Sequence, residues 1–305
     1  MQVFLNNNSS LTEVAEKPFK LERDLQTLVE RNLKQLMSLT LVKSEFCIRN
    51  GRIDTLAYDE QNKAFIIIEY KRDKNYSVID QGFMYLSLML ENKADFIVEY
   101  NERLSKTMKR DDVDWSQSRI VFVAPSFSDV QIQSANFRDL PIELWEVGQY
   151  VNNLILLRQI ETSRSAGSFK TIASRDPEIK QIVEEIKVVS ENEHTAYASP
   201  AIAELYQKFR SAILNLSDGV TVKPQKVYVA FKKQRNIVDI EVQKNALKLF
   251  INAPIGTLKD ANGLAKDVSK IGHLGNGDYE IKVSDDTELE YIMSLIKQVV
   301  LMQSK

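Results

Sequence analysis

The chain has 305 residues, 44% hydrophobic and 27% charged, with a formal net charge of -2 at pH 7. That length is too great for one ordinary core and suits two domains, and the composition is that of a globular protein. Near-neutrality argues against a protein that coats nucleic acid nonspecifically, because such binding depends on neutralised phosphates, yet it leaves room for a basic rim around a local carboxylate cluster.

The N-terminus, MQVFLNNNSS, lacks the basic-then-apolar pattern of a secretory signal, and no apolar run is long enough to cross a bilayer. The expected setting is cytoplasmic, with no membrane partner. Lys20 to Met37 reads as one amphipathic helix, with Leu21, Leu25, Leu28, Val29, Asn32, Leu33 and Leu36 at helical spacing. SEFCIRN, GRIDTLAYD and KAFIIIEYK follow as successive strands, with turn signals at Asn50-Gly51 and at Glu60 to Lys63. Cys47, the single cysteine, lies between Phe46 and Ile48 and is expected to be a buried structural thiol. Ser77 to Leu90 is a predicted helix, Arg119 to Ser126 a buried strand, and Pro141 to Val147 another. Helix, hairpin, strand, helix and strand imply an α/β fold whose mixed sheet is flanked by helices, over residues 1-150.

Residues 151-199 read as a helical linker region: a Ser-rich stretch, Ser163 to Phe169, precedes a helix at Pro177 to Val189 that opens with proline at a favoured first position. Residues 200-305 read as a smaller α+β domain. It has a helix at Ala201 to Leu216, strands in VYVAFKK, IVDIEVQ, LKLFINAP and DYEIKV, and a closing helix from Asp286 to Met302. Lys223, Lys226, Lys232, Lys233 and Arg235 gather around its first hairpin. The glycines of GHLGNGD lack the strand-before, helix-after setting of a nucleotide loop, so Asn276-Gly277 reads as a hairpin turn. His194 and His273 have no partner spacing for zinc and read as structural or exposed.

The most informative feature is the run Phe65 to Ile68, apolar as for a strand covered on both faces, which ends abruptly in Glu69-Tyr70-Lys71. Side chains alternate along a strand, so Glu69 and Lys71 project from one face at the mouth of a buried element. A lone Glu-x-Lys is most often just solvated. Here Asp54, on the preceding strand, supplies a second carboxylate able to converge on Glu69. Two carboxylates and the Tyr70 backbone carbonyl are a hard-oxygen set suited to Mg2+ or Mn2+. Lys71 would then hold or deprotonate an attacking water. Gln81 and Tyr85 are four apart and share one side of the next helix. On the first helix, the angle from the apolar stripe puts Glu22 at its margin, touching the metal through water, and sends Glu30 to a solvated face.

Glu22 in LERDLQTLVERNL, Asp54 in GRIDTLAYDE, Glu69-x-Lys71 in IIIEYKR, Gln81-x3-Tyr85 in DQGFMYL and the strand IVFVAPSF occur in an order that resembles the PD-(D/E)xK, restriction-endonuclease-like superfamily. The likeness is greatest to the catalytic domains of archaeal and actinobacterial mismatch or branched-DNA endonucleases and to RecB-type nucleases. It implies Asp54 and Glu69 as metal ligands, Lys71 as the catalytic lysine, Glu22 as the helix acid, and Gln81 with Tyr85 in support. The expected activity is endonucleolytic hydrolysis of phosphodiester bonds, with DNA as substrate, in repair or phage defence, and a homodimer is one expected assembly. Ile53 stands where the superfamily name has proline. The C-terminal part resembles an uncharacterised domain found behind such nucleases. The competing readings are an inactive nucleic-acid-binding module on the same fold and a protein-interaction module.

Overall fold

A computed structural model describes residues 2–49, 51–72, 77–163, 165–173, 176–186, 189–272 and 275–303. Asn50 and His273, read above as turn and structural residues, lie outside these, as do 187 and 188 at the end of the predicted linker helix. The chain divides into two compact units, Met1–Lys187 and Val188–Lys305.

The first unit opens with a hairpin of β1 (Phe4–Asn7) and β2 (Ser10–Glu13), every residue of which is exposed. The expected single first helix is two, α1 (Glu22–Arg31) and α2 (Leu33–Met37). The break is at Asn32, whose φ of -120° leaves the helical range and whose side-chain amide donates to Leu28 O at 2.8 Å. A short polar side chain that bonds its own backbone competes with the helix. Then come β3 (Thr40–Ile48), β4 (Gly51–Asp59), β5 (Ala64–Tyr70), α3 (Val78–Glu91), α4 (Lys93–Leu104), β6 (Arg119–Ala124), α5 (Asp129–Ser134), β7 (Ile142–Gln149), β8 (Ile155–Ile160), α6 (Lys170–Ala173) and α7 (Pro177–Glu185).

Strands β3 to β8 form one six-stranded sheet in chain order. β5, β6 and β7 run parallel, and the flanking pairs are antiparallel. One face packs on α3 and α4 through Phe65, Ile67, Phe83, Leu86 and Phe96, the other on α1 and α2 through Ile66, Ile68, Leu25, Val29 and Leu33. Every residue of β5 is buried, as its unbroken apolar run predicts. The mixed sheet flanked by helices is as expected, but its edge reaches beyond residue 150. β8 pairs with β7 from Leu144↔Ile160 to Gln149↔Ile155, and Ile182 and Val183 of α7 are buried in the first core. The region read as a linker is therefore divided, most of it belonging to the first unit. Cys47 is exposed rather than buried, because Phe46 and Ile48 take the inward positions and the alternation turns Cys47 out.

The second unit comprises α8 (Glu191–Thr195), α9 (Pro200–Leu214), β9 (Thr221–Pro224), β10 (Val229–Lys232), β11 (Asn236–Val242), β12 (Leu247–Ile251), β13 (Lys266–Asp267), β14 (Tyr279–Val283) and α10 (Leu289–Gln303). Its sheet, in the order β13-β14-β12-β11-β10-β9, is antiparallel throughout and shares a core with α9 and α10. His194 is buried, with Nε2 2.6 Å from Gln225 O, which fits the structural reading. The Asn276-Gly277 turn enters β14, and Gly277 is required there: its φ is +120°, and a Cβ would stand 2.4 Å from Ile251 O.

Candidate metal centre

The β4–β5 ladder runs from Asp59↔Ala64 to Thr55↔Ile68 and stops one pair short of Asp54 and Glu69. Beyond that point β5 continues alongside β6 as far as Tyr70↔Val123, and Lys71 N–H donates to Val123 O at 2.9 Å. One strand is thus held to its end while its neighbour turns away. Carboxylates take over from the main chain in the gap: Asp54 N–H donates to Glu69 Oε1 and Tyr70 N–H to Asp54 Oδ2, each at 3.1 Å. This reciprocal exchange satisfies two buried backbone donors and fixes the acids side by side.

Glu69 is 1% exposed. Its Oε2 accepts the Tyr85 hydroxyl at 3.1 Å and faces Lys71 Nζ at 3.7 Å. Burial, with the adjacent Asp54 charge adding to it, pushes the Glu69 carboxyl up to about 8, against the opposing Asp54 N–H bond and the Lys71 cation. Asp54 is raised for the same first reason, burial, with Glu45 and Glu22 contributing repulsion while the Tyr70 N–H and Lys71 oppose it. Burial and the Glu69 charge raise the Tyr85 hydroxyl, keeping it a donor.

Glu22 stands at the first position of α1 and is exposed, its Oε2 accepting Arg72 N–H at 3.0 Å, one residue past Lys71. Gln81 sits one turn before Tyr85 on α3, and its buried Oε1 has no hydrogen-bond partner among the described residues. The structure therefore brings Asp54, Glu69, Lys71 and Tyr85 into direct contact, with Glu22 close by and Gln81 on the adjoining turn. Glu30 does not sit on a solvated face. Gln26 donates to its Oε1 at 3.1 Å, and the Thr55 hydroxyl donates to the same oxygen. The angular reading separated Glu22 from Glu30 too widely: each i,i+4 step along Glu22, Gln26 and Glu30 turns only about 40°, so the three form one polar stripe beside the apolar one. Gln26 and Thr55, which sequence reasoning missed, are both buried. That stripe was a signal for Gln26, and the sequence pattern gave none for Thr55 on β4.

Among the described residues, no three His, Cys, Asp or Glu side chains gather where they could hold a metal ion. A metal here would rest on the two carboxylates, with the Tyr70 carbonyl as the further oxygen. The donor set fits a hard divalent cation, since it is oxygen-only and places one buried and one half-buried acid beside one lysine. No described helix is long and apolar enough to cross a membrane.

The strand order and the paired acids define a two-unit α/β protein with a carboxylate-lysine site at the end of its central strand. The chain belongs to one family with an uncharacterized protein of Haemophilus influenzae, to which it is 51% identical over 300 residues, covering 98% of this chain and 99% of the relative. Residues 191–299 match the family described as Domain of unknown function (DUF5655). Three solved structures align with part of the chain. A repair endonuclease from Pyrococcus abyssi is 18% identical over 42% of this chain and 48% of its own, with a TM-score of 0.25. EndoMS in complex with double-stranded DNA is 18% identical over 45% and 54%, with a TM-score of 0.29. Pyrococcus furiosus SfsA in complex with Ca2+ is 15% identical over 45% and 61%, with a TM-score of 0.23. The chain spans about half to three-fifths of the length of these structures, and at such scores the likeness carries no functional argument.

Proposed function

We propose that the first unit is a Mg2+- or Mn2+-dependent endonuclease that hydrolyses phosphodiester bonds of DNA. The observation that carries this reading is the replacement of the β4–β5 ladder by the Asp54 and Glu69 carboxylates, directly beside Lys71. Burying acids in this way is costly unless a cation compensates them. Asp54, Glu69 and the Tyr70 carbonyl would hold the metal, with Glu22 acting through water. When bound, the cation supplies Lewis-acid polarisation of the scissile phosphate and makes a neighbouring water more acidic. Lys71 is placed to orient that water and to offset charge developing on the phosphate. Tyr85 fixes the rotamer of Glu69 by donating to the oxygen that faces Lys71. The Gln81 amide, buried on the next turn, is suited to orienting phosphate or base.

The second unit is assigned the positioning of substrate or subunits, since chemistry is concentrated in the first. Within this reading the enzyme works in the cytoplasm in repair or phage defence, and a homodimer would bring two sites to the two strands of a duplex. The test is to incubate the full chain with labelled linear, circular, branched and mismatched DNA in Mn2+, beside Asp54→Asn and Lys71→Met. Metal-dependent cleavage that both substitutions abolish is the expected result; cleavage that persists in both would remove the activity from this site.

A further inference from the structure

Behind the proposed metal centre, on the sheet face covered by α1, lies a second polar group that the catalytic reading leaves unused. Asp54 has no ladder partner on β5, although β3 pairs with its neighbours at Phe46↔Ile53 and Ser44↔Thr55. Its carbonyl oxygen instead accepts from Gln26 Nε2 at 3.0 Å. The same amide donates to Glu30 Oε1 at 3.1 Å and lies 3.4 Å from Ser44 Oγ. Glu30 also accepts the Thr55 hydroxyl. A hydroxyl carries one proton, so with the Thr55 proton given to Glu30, the Tyr70 hydroxyl at 3.3 Å must donate to Thr55 Oγ1. The circuit closes through the backbone of Tyr70, whose N–H is held by Asp54 Oδ2.

We propose that Gln26, Glu30 and Thr55 are positioning residues that lock the main chain of Asp54, and through it the Asp54 carboxylate, against β5. The argument is geometric. β3 pairs with the residues on either side of Asp54, but no main-chain partner on β5 meets Asp54 itself, and Gln26 is the group bonded to its carbonyl. Gln26 in turn has its amide plane set by Glu30, whose rotamer is held by Thr55. Networks of this kind hold a site within the fraction of an ångström that catalysis needs. The inference rests on the nuclease reading for its functional meaning, but its geometry is testable without cleavage.

The first experiment measures amide hydrogen exchange at Tyr70 in the full chain by NMR, together with calorimetric titration of Mn2+. Gln26→Leu keeps the volume and removes both donors. It is expected to speed exchange at Tyr70 at least tenfold, with exchange in the β6 core unchanged, and to weaken Mn2+ binding about tenfold. Thr55→Val is expected to do the same, and Thr55→Ser, which restores the hydroxyl, to recover wild-type behaviour. That pair carries the test if Gln26→Leu fails to fold. Where the wild type cleaves DNA, the same variants should lower kcat with KM unchanged. A wild type without cleavage would sink the nuclease reading while leaving exchange and Mn2+ affinity to decide this one. Wild-type exchange and affinity in Gln26→Leu, or equal behaviour of Thr55→Ser and Thr55→Val, would overturn it.

Discussion

If Asp54 and Glu69 hold the metal and Lys71 serves the attacking water, their isosteric substitutions must fail in opposite directions. Asp54→Asn and Glu69→Gln each remove one anion from a pair bonded to each other's strand at 3.1 Å. The amide oxygens that remain still accept the N–H bonds, so the strand ends stay in place while the charge that attracts the cation is halved. Lys71→Met removes a cation 3.7 Å from Glu69 Oε2. At that distance, with an effective dielectric of about 20, the lysine-carboxylate attraction is on the order of 4 kcal/mol before solvent screening. Lys71 is one-fifth exposed, which reduces this, and a metal on the same carboxylates feels the lysine as a repulsion of comparable scale. Removing it should therefore tighten Mn2+ binding, by about tenfold if ~1.4 kcal/mol of the repulsion survives screening. Calorimetric titration at low salt, paired with a cleavage assay, reads both sides. Expected are affinity and turnover lost together in Asp54→Asn and Glu69→Gln, and turnover alone lost in Lys71→Met. Wild-type Mn2+ affinity in folded Asp54→Asn and Glu69→Gln would refute the assignment of the metal to these carboxylates.

Glu22→Ala should lower cleavage about tenfold or more while leaving the melting temperature nearly unchanged, since the side chain is exposed and, among the described residues, accepts the Arg72 N–H alone; a normal rate would remove it from the site. In the second unit, Asp239 is fully buried and accepts from Asn236 Nδ2 and Asn276 N, and burial raises its carboxyl to about 7. Its folded value thus exceeds the unfolded one of 3.8, so its contribution to stability is complete below pH of about 4 and is lost as pH rises toward about 7, at no more than ~1.4 kcal/mol per pH unit. Thermal melts of Asp239→Asn against wild type should show the variant gaining relative stability over that window, and a difference constant with pH would contradict the assignment. Gly277→Ala should destabilise the second unit by on the order of 1–3 kcal/mol, because φ of +120° and the Ile251 carbonyl both exclude a Cβ; calorimetry with an unshifted transition would show that the turn relaxes freely.

What the sequence revealed and what it hid divide along the range of the interactions. The run Phe65 to Ile68 announces a strand buried on both faces, and its ending in Glu69-Tyr70-Lys71 marks where the buried strand opens, because local alternation and abrupt polarity are both written in consecutive residues. Gln81 and Tyr85 were legible as a pair for the same reason, at one helical turn. β8 was not: Ile155 to Ile160 is short, none of it is fully buried, and it is a strand because β7 offers it an edge. Glu30 was misplaced because a helix phase locates the apolar stripe well and its polar border poorly. What draws Glu30 inward is Thr55, on a strand whose inward hydroxyl no periodicity reports.

The same distinction explains why the site stands where it does. Periodic patterns specify ladders, whereas a binding centre needs a place where a ladder ends and its polar groups are met by something else. Here the end is produced by unequal support: β5 is held by β6 to its last residue, while its pairing with β4 stops at Thr55 and the rest of β4 pairs with β3 alone. A side-chain acceptor at both 54 and 69 satisfies the two backbone donors the gap exposes, and here both acceptors are acids. Each carboxylate is then fixed by the other strand's N–H, and neither is neutralised by it. Rigid placement of two acids that burial makes costly to ionise without a cation is the property a metal site requires, and it arises here from strand geometry before any metal is considered.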